Sequence, residues 1–274
     1  MSKRQLMAIG VKSIPVRKFK NSKLQHSQSD MLAIEKPVAL IYNGISHVVM
    51  MATPKDLDYF AIGFSLTENI IQSVNDIYGI DVIDTPKGIE VQIELSSRRF
   101  SELKEKRRNL TGRTGCGICG TEQIEQVCQD IPTLPLISQI NLADFSDSLS
   151  YLSHVQQVGK QTGCTHAAVW LDLKGQFMAG FEDIGRHVAL DKLLGFRAIQ
   201  LLNNPKYQHG VVLVSSRASY EMVQKTANCG VEFLLAVSAA TSMAVDLAKQ
   251  CHLTLLGFFR GDKGVIYSGD DRLI

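Results

Sequence analysis

The alternation of hydrophobic and polar residues in the first half of the chain predicts two pairs of strands. Apolar runs at 38–42 and 45–51 are separated by Asn43-Gly44, and Asn-Gly between two such runs is a strong signal for a β-hairpin. Residues 89–95 alternate between aliphatic and polar side chains, which is the pattern of a half-buried strand. A turn would join this strand to an earlier one at 80–83. These segments predict the β part of an α+β subdomain over 37–110.

Two helices are expected in the same subdomain. Thr53 is a suitable N-cap and Pro54 a suitable first residue for a helix that begins there. A basic helix is expected at 98–110, directly before a cysteine-containing segment. Residues up to about 30 are polar and lack a sustained period, so 1–36 are expected to form a flexible leader. The buried face of the first helix would consist of Leu57, Phe60, Ala61, Phe64 and Ser65.

The second half of the chain alternates short apolar runs with helical segments, after a proline-containing joint at 131–135. Strands that alternate with helices of about ten residues predict an α/β domain with helices around a mixed sheet. We expect this domain over 131–274, as three layers in the order α/β/α. Its strands are expected at 167–172, 177–181, 211–214, 231–237, 253–259 and 265–267, and its helices at 187–194, 220–227 and 243–250.

The composition is that of a soluble globular chain, since 45% of the 274 residues are hydrophobic and 20% are charged. A formal net charge of +2 gives no general case for nucleic-acid binding. No apolar run approaches the roughly 20 residues of a membrane helix, and no signal-peptide pattern is present. The six cysteines are too few and too unevenly spaced for a disulfide scaffold. We therefore expect a cytoplasmic protein whose partners include neither nucleic acid nor membrane.

Two cysteines three positions apart lie in the glycine-rich segment 115–120, with the sequence GCGICG. Seven basic residues and two acidic ones precede them between 98 and 113, and nearby positive charge favours the nucleophilic thiolate. Cys116 and Cys119 are therefore candidates for sulfur chemistry, on a loop at 111–130 that its glycines would make mobile. The same spacing suits half of a zinc site or a thiol-disulfide redox pair, and spacing alone leaves these alternatives open.

Three segments of the second half are candidates for anion binding. In α/β sheets, ligands bind beyond the carboxyl ends of strands and against helix N-termini. Ser215-Ser216-Arg217 and 238–242 occupy such positions, although serine and threonine also act there as ordinary helix caps. The segment 258–263 offers two cations and two aromatic rings, and a solvated hairpin tip is its alternative interpretation. Its candidate residues are Phe258, Phe259, Arg260, Gly261, Asp262 and Lys263.

Cysteine, histidine and carboxylate side chains also flank the first hairpin of the second half. Cys164, His166, Glu182 and His187 carry donor atoms that bind metals. The His-x-Glu and Pro-Cys-x-x-Cys signature of the zinc deaminases is absent, because two alanines follow His166. A deaminase site is therefore rejected. No metal ligand is assigned, metal binding is kept as a minor alternative, and the roles of these residues are left open.

Five motifs occur in order along the chain. They are 112–120 (GRTGCGICG), 163–168 (GCTHAA), 182–187 (EDIGRH) with 189–193 (ALDKL), 215–222 (SSRASYEM) and 236–240 (AVSAA). Taken together, they closely resemble the FdhD family, whose members are accessory sulfurtransferases for formate dehydrogenase. The resemblance extends from about Pro37 to the C-terminus. It implies a second half similar to the cytidine deaminase fold, without its zinc site.

The resemblance implies a cytoplasmic sulfur carrier. A cysteine desulfurase would transfer sulfane sulfur to Cys116 as a persulfide, and Cys119 would assist relay or release. The acceptor would be the molybdenum cofactor, a bis(molybdopterin guanine dinucleotide), before it enters formate dehydrogenase. The segment 258–263 corresponds to the place where the family binds that cofactor, and Ser216 and Arg217 are expected to add phosphate contacts. The resemblance also implies a homodimer.

Overall fold

The computed structural model describes residues 10–111 and 131–274, the side chains of 106–111 excepted. Within these residues the chain forms three sheets, of two, four and six strands. The predicted mobile loop at 111–130, with both cysteines of the C-x-x-C motif, lies outside the described residues apart from residue 111. Among the helices of the described part, none has the length and apolar character needed to cross a bilayer.

The first described residues form an antiparallel hairpin, β1 (Val11–Lys20) and β2 (Lys23–Ala33), which is a sheet of its own. Asn21 and Ser22 join the strands with left-handed φ values of 49° and 59°, as a two-residue type I′ turn requires. Over 11–33, this hairpin stands where the flexible leader of 1–36 was expected. The strands escaped prediction because most of their residues are exposed, so burial imposes little hydrophobic alternation on them.

The N-terminal unit is a four-stranded sheet with two helices on one face. Its elements are β3 (Lys36–Tyr42), β4 (Ile45–Ala52), α1 (Leu57–Thr67), β5 (Ile77–Thr85), β6 (Gly88–Leu95) and α2 (Ser97–Thr111). The strand order is β4-β3-β6-β5, in which β3 and β6 are parallel and the outer pairs antiparallel. Both predicted strand pairs are confirmed. The five residues predicted for the inner face of α1 are all buried against this sheet or the neighbouring helices.

The start of α1 differs from the sequence prediction. The helix begins at Leu57 after Asp56, which has a left-handed φ of 53°, and not at Thr53-Pro54. The Thr53 hydroxyl donates a hydrogen bond of 2.7 Å to Asp183, and the Thr53 amide donates to the same carboxylate oxygen at 3.0 Å. Thr53 therefore does not act as the N-cap, because the helix begins four residues later and the Thr53 hydroxyl already accepts the Lys192 ammonium at 2.8 Å.

The C-terminal unit is a six-stranded mixed sheet with its helices. Its elements are α3 (Leu149–Val155), α4 (Gly159–Thr162), β7 (His166–Leu171), β8 (Phe177–Asp183), α5 (Arg186–Leu201), β9 (Val211–Val214), α6 (Tyr220–Asn228), β10 (Phe233–Ala236), α7 (Ser242–Gln250), β11 (Thr254–Gly257) and β12 (Val265–Ser268). The strand order is β12-β11-β10-β9-β7-β8. The pairs among β9, β10 and β11 are parallel, and the others are antiparallel. The predicted mixed α/β class is confirmed.

Both faces of the six-stranded sheet are buried. Successive residues of its central strands point to opposite sides, so they belong to different core clusters. Val212 and Leu234 belong to the core cluster that includes residues of α5, α6 and α7. Leu213 and Leu235 belong to a second cluster on the other face, together with Leu152 of α3. The likeness of this unit to the cytidine deaminase fold stays a prediction.

Glycines on α1 and α5 let the two units meet in backbone contact. A Cβ atom on Gly63 would lie 1.7 Å from the carbonyl oxygen of Asp191, and one on Gly195 would lie 2.0 Å from that of Tyr59. Neither position can therefore accept a side chain without displacing a helix. The Tyr59 ring packs edge-on against Phe196 beside this crossing, at a centroid distance of 5.3 Å.

Gly195→Ala tests this crossing. Alanine raises helix propensity by up to about 1 kcal/mol, so an uncrowded helical glycine would gain stability from the change. Here we expect a loss of about 2 kcal/mol or more in the free energy of unfolding, because the methyl group meets a backbone oxygen. Urea denaturation followed by circular dichroism measures it. Gly79→Ala is the control, since the nearest atom to its Cβ would be 3.8 Å away. A stabilised Gly195→Ala protein would contradict the packing.

Candidate functional site

The carboxyl ends of three parallel strands bring the predicted anion-binding segments together. β9, β10 and β11 end at the same edge of the sheet, and the segments that follow them hydrogen-bond to one another. The amide of Ser238 donates to the carbonyl oxygen of Ser216 (3.3 Å), and the amide of Phe258 donates to that of Ser238 (3.0 Å). The three segments therefore lie side by side, where α/β sheets bind ligands.

The first hairpin of the sheet contributes to the same edge. β7 begins there because it is antiparallel to β9, and the amide of Ser215 donates to the carbonyl oxygen of Ala167 (3.0 Å). β8 ends there, since His166 pairs with Asp183, and α5 follows with Arg186 as its first residue. We call this surface the motif edge. It consists of 164–166, 185–187, 215–217, 237–241 and 258–263.

Ser216 and Arg217, both predicted to bind phosphate, differ in accessibility. Ser216 is 4% exposed, and its hydroxyl donates to the carbonyl oxygen of Arg217 (2.9 Å). The neighbouring Ser215 hydroxyl accepts the amide of Ala167 (2.9 Å). The serine hydroxyls thus stabilise the loop from within. Arg217 is exposed, and it is the member of this segment that a ligand phosphate can reach.

The turn at 258–263 presents one aromatic ring to solvent and not two. Phe258 has a left-handed φ of 51° and is 48% exposed. Phe259 is 2% exposed and belongs to the core cluster beneath the turn. This corrects the expectation of two accessible rings, because the chain bends at Phe258 directly after β11 and the Phe259 ring packs into the core.

The charged residues of this turn have different surroundings. The amide of Arg260 donates to the carbonyl oxygen of Lys263 (2.7 Å), which closes the turn. The Arg260 guanidinium donates to the carbonyl oxygens of Val237 and Phe259, the second at 3.0 Å, and so links the turn to the end of β10. Asp262 and Lys263 are exposed. The turn therefore offers the Lys263 ammonium to a ligand and uses much of Arg260 for its own structure.

A cavity of about 250 Å³ lies beside the turn. Gly261 anchors the turn at this point, because a Cβ on this residue would lie 2.2 Å from the carbonyl oxygen of Ser146 and its φ is 84°. The lining includes Leu142, Leu256, Phe259, Lys263 and Ile266. Asp262 also lines the cavity, so its two charged lining residues have opposite signs. A mostly apolar cavity with a few polar groups suits one end of a ligand that has both a flat and a polar part.

A second cavity, of about 420 Å³, lies at the opposite edge of the sheet, where β11 begins. It is lined in part by Lys249, His252 and Arg272. The buried Arg272 is bonded to the Glu232 carboxylate at 3.1 Å, so it serves the local structure. Because the carboxyl ends of the parallel strands and the sequence motifs meet at the motif edge, we place the candidate site there.

Glu182, a candidate metal ligand by residue type, is engaged in hydrogen bonds. Its carboxylate accepts the amides of Val158 (2.9 Å) and Gly159 (2.6 Å) and the hydroxyl of Thr165 (2.6 Å). These bonds hold the start of α4 and the residue that follows Cys164, whose free thiol is exposed. Glu182 therefore shapes the backbone around this thiol.

Burial and positive charge lower the pKa of both histidines at the motif edge. Burial, followed by the charge of Arg186, lowers the pKa of His166. Burial lowers the pKa of His187 to about 4, although its Nε2 lies 2.6 Å from a carboxylate oxygen of Glu221. Both imidazoles are therefore neutral at pH 7. Among the side chains that the structure describes, no group of three or more histidine, cysteine and carboxylate residues is placed to hold a metal ion.

Charged residues that sequence reasoning missed form a buried cluster behind the motif edge. One carboxylate oxygen of Asp183 accepts the Lys192 ammonium (2.7 Å) and the Thr53 hydroxyl (2.7 Å). The other accepts the amide of Gly185 (2.9 Å), at the start of α5. All three side chains are almost completely buried. Two adjacent charges, Asp191-Lys192, within an apolar helical segment were the sequence signal for buried ion pairs.

A second buried cluster joins α1 to α5 and α6. The Lys225 ammonium donates to Asp191 (3.1 Å), Glu68 (2.7 Å) and the Thr67 hydroxyl (2.9 Å). Burial alone would lower the pKa of Lys225, but the two carboxylates outweigh it and raise the pKa. Lys225 therefore remains a cation in the interior, paired on three sides.

The chain is similar to known proteins in sequence and in fold. The sequence model of the FdhD/NarQ family matches residues 33–274. In fold, the chain is similar to the crystal structure of a candidate formate dehydrogenase accessory protein from Desulfotalea psychrophila, with a TM-score of 0.74. The superposition covers 96% of this chain and 99% of the other, at 21% sequence identity. At that identity the likeness establishes the fold alone.

The lowered pKa of His187 predicts a loss of stability in acid. The pKa is about 4 in the folded chain and 6.5 in the reference state, so the unfolded chain binds the proton first as the pH falls. The contribution of the neutral His187 to the free energy of unfolding is present above pH 6.5 and is lost between about pH 6.5 and 4. Compared with His187→Gln, the wild type should lose about 1 kcal/mol more unfolding free energy between pH 7.5 and 5, after allowance for solvent screening. Urea denaturation at both pH values measures it, and equal losses would contradict the assignment.

Proposed function

Because the chain belongs to the FdhD/NarQ family, we propose that it is a sulfur carrier for the maturation of formate dehydrogenase. The observation that carries this proposal is the family match over 33–274, which includes the GCGICG segment and the whole motif edge. The neighbour in fold is described as a candidate formate dehydrogenase accessory protein, which supports the choice of client enzyme. The site of action is proposed to be the cytoplasm, where thiols stay reduced.

Cys116 is the proposed carrier of the sulfur atom. Its thiolate attacks the sulfane sulfur of a persulfide on a cysteine desulfurase. A new S–S bond forms as the donor's S–S bond breaks, and the donor cysteine leaves as a thiolate. The basic residues at 98–113 favour the thiolate form of Cys116 by their charge. The product is a Cys116 persulfide, and one sulfur atom has moved without net oxidation.

Cys119 is the proposed partner in release. Its thiolate attacks Sγ of Cys116, which forms a disulfide between the two residues and releases the outer sulfur as hydrosulfide towards the acceptor. Two thiols are oxidised while the sulfane sulfur is reduced, so the electrons balance. A cellular dithiol must then reduce the disulfide before the next cycle.

The proposed acceptor is the molybdenum cofactor, a bis(molybdopterin guanine dinucleotide), which binds as substrate at the motif edge. Arg217 and Lys263 are exposed cations that suit its phosphates, and the exposed Phe258 ring suits a stacked guanine. Phe259 packs in the core beneath the turn, and the Arg260 guanidinium bonds the turn to the carbonyl oxygen of Val237. In this proposal the chain transfers sulfur to the cofactor before the cofactor is inserted into formate dehydrogenase.

Sulfur loading of the full chain tests the role of Cys116. After incubation with a cysteine desulfurase and cysteine, intact-mass spectrometry should show a gain of about 32 Da that dithiothreitol reverses. The gain should be absent from Cys116→Ala, because the carrier thiol is gone. Cys164→Ala is the matched control, since it removes an exposed free thiol outside the C-x-x-C motif, and it should load like the wild type.

If the wild type takes up no sulfur, two further measurements distinguish the other uses of the C-x-x-C motif. A wild type that takes up no sulfur but holds stoichiometric zinc, lost on Cys116→Ala, would replace the carrier with a metal-binding module. A wild type that takes up no sulfur but reduces insulin with a dithiol would replace it with a redox module.

Lys263→Ala tests the nucleotide part of the proposal. We expect guanosine diphosphate to bind about tenfold more weakly, because a hydrogen bond between a charged group and phosphate contributes about 1.5 kcal/mol. Isothermal titration calorimetry on the full chain measures the affinity. Lys249→Ala is the matched control, because that lysine lines the cavity at the opposite edge. Equal weakening by both variants, or by neither, would contradict a nucleotide site at the motif edge.

A further inference from the structure

A cavity of about 210 Å³ lies between the two units, next to the motif edge. Residues of β4 and of the end of α1 line it on one side, and residues of α5 and α6 line it on the other. His187 belongs both to this lining and to the motif edge. Typical ligand pockets have about 300–1,000 Å³, so the smaller cavity suits a single ring system. The lining includes Met50, Phe64, Glu68, His187, Glu221 and Gln224.

Gln224 presents a buried side-chain amide to this cavity. The residue is 8% exposed, and no group in the described part of the chain hydrogen-bonds to its amide. An amide has one acceptor oxygen and two N–H donors, and a buried amide without partners is unfavourable. A ligand in the cavity that offers hydrogen-bonding groups to this amide would satisfy it.

Negative charge exceeds positive charge in the cluster around the cavity. The Lys225 ammonium is held by Asp191 (3.1 Å), Glu68 (2.7 Å) and a hydroxyl, so its protons are already used. His187 is neutral at pH 7, and its Nε2 lies 2.6 Å from one oxygen of Glu221. One cation of the cluster therefore faces three carboxylates. The second oxygens of Glu68 and Glu221 bind no other described residue, so they can accept N–H donors from a ligand.

A flat ring with an amino group, a ring N–H and a carbonyl along one edge is complementary to these groups. A carboxylate accepts two parallel N–H bonds, and such charge-assisted bonds are strong. The N–H donors of Gln224 need an acceptor, which the ring carbonyl provides. A guanidinium has donors only, so an arginine side chain would leave them unpaired. Phe64 and Met50 add apolar surface against which a ring can pack.

We propose that this cavity binds the 2-amino-4-oxopyrimidine ring of a pterin. The carboxylates of Glu68 and Glu221 accept the N–H donors of the ring, and the Gln224 amide donates to its carbonyl oxygen. The ring site itself follows from the cavity, whereas the choice of a pterin over guanine rests on the proposed function. The acceptor proposed there carries both kinds of ring, and its guanine is assigned to the exposed Phe258.

Two matched ring compounds test whether the amino edge is recognised. Pterin is fluorescent, so its titration with the full chain gives the dissociation constant from the change in fluorescence. Lumazine has the same rings with an oxygen in place of the 2-amino group, which would place an acceptor against the carboxylates. We expect lumazine, measured by competition, to bind at least about tenfold more weakly than pterin. Equal affinities, or no binding of pterin, would overturn the proposal.

Two variants test the same contacts from the side of the protein. Gln224→Leu keeps the approximate size of the side chain but removes its amide, so pterin should bind about tenfold more weakly. Glu221→Gln changes an exposed residue and gives the ring edge an N–H donor, so the preference for pterin over lumazine should fall about tenfold.

Gln250→Leu is the matched control, because it changes an exposed glutamine of α7 and should bind pterin like the wild type. Thermal unfolding verifies that each variant is folded. An unchanged preference in Glu221→Gln, or an unchanged affinity in a folded Gln224→Leu, would contradict the proposed contacts. Guanosine that binds more tightly than pterin and loses affinity in Gln224→Leu would assign the cavity to guanine and overturn the choice of a pterin.

The sulfur-loading experiment separates this inference from the proposed function. A chain that loads sulfur on Cys116 but binds no pterin would overturn the ring site and leave the carrier in place. A chain that binds pterin with the expected preference but takes up no sulfur would support the ring site and overturn the carrier.

Discussion

A buried ion pair between Asp183 and Lys192, shared with Thr53, is the contact on which the arrangement of the two units depends. Both charged side chains have no solvent exposure and lie 2.7 Å apart. Loss of either partner would leave an uncompensated charge in the interior, which typically costs about 3–5 kcal/mol. The contact ties the residue after β4 to the end of β8 and to α5. It therefore holds the four-stranded sheet beside the edge of the six-stranded one.

The need to pair buried charges explains why many charged residues of the sequence motifs hold the backbone of the candidate site and do not face solvent. Glu182 holds the start of α4, and Asp183 binds Lys192 and the amide of Gly185. Buried polar and charged groups need such partners, because water no longer solvates them. The groups that remain accessible at the motif edge, Arg217 and Lys263 among them, are the ones a phosphate can contact.

The secondary structure was predictable for most elements that have one buried face, although α3, with its buried Leu152, was missed. The strand expected at 211–214 coincides with β9, and the alternating segment 89–95 lies within β6. Both segments pack against a core, so their sequences carry its period. The β1–β2 hairpin was missed because most of its residues face water. The meeting of the three candidate segments at one edge of the sheet was also predictable, since the carboxyl ends of parallel strands lie at the same edge.

The sequence by itself determined the family motifs, the mixed α/β class and the order of the elements over 36–111 and 166–268, because local periodicity and turn residues encode them. Only the tertiary structure decided which side chains of the motifs are accessible. Thr53 pairs with a residue 130 positions away, and Phe259 points into the core while Phe258 faces solvent. Such outcomes depend on contacts between distant segments, and no local pattern of residues specifies what a side chain will meet after folding.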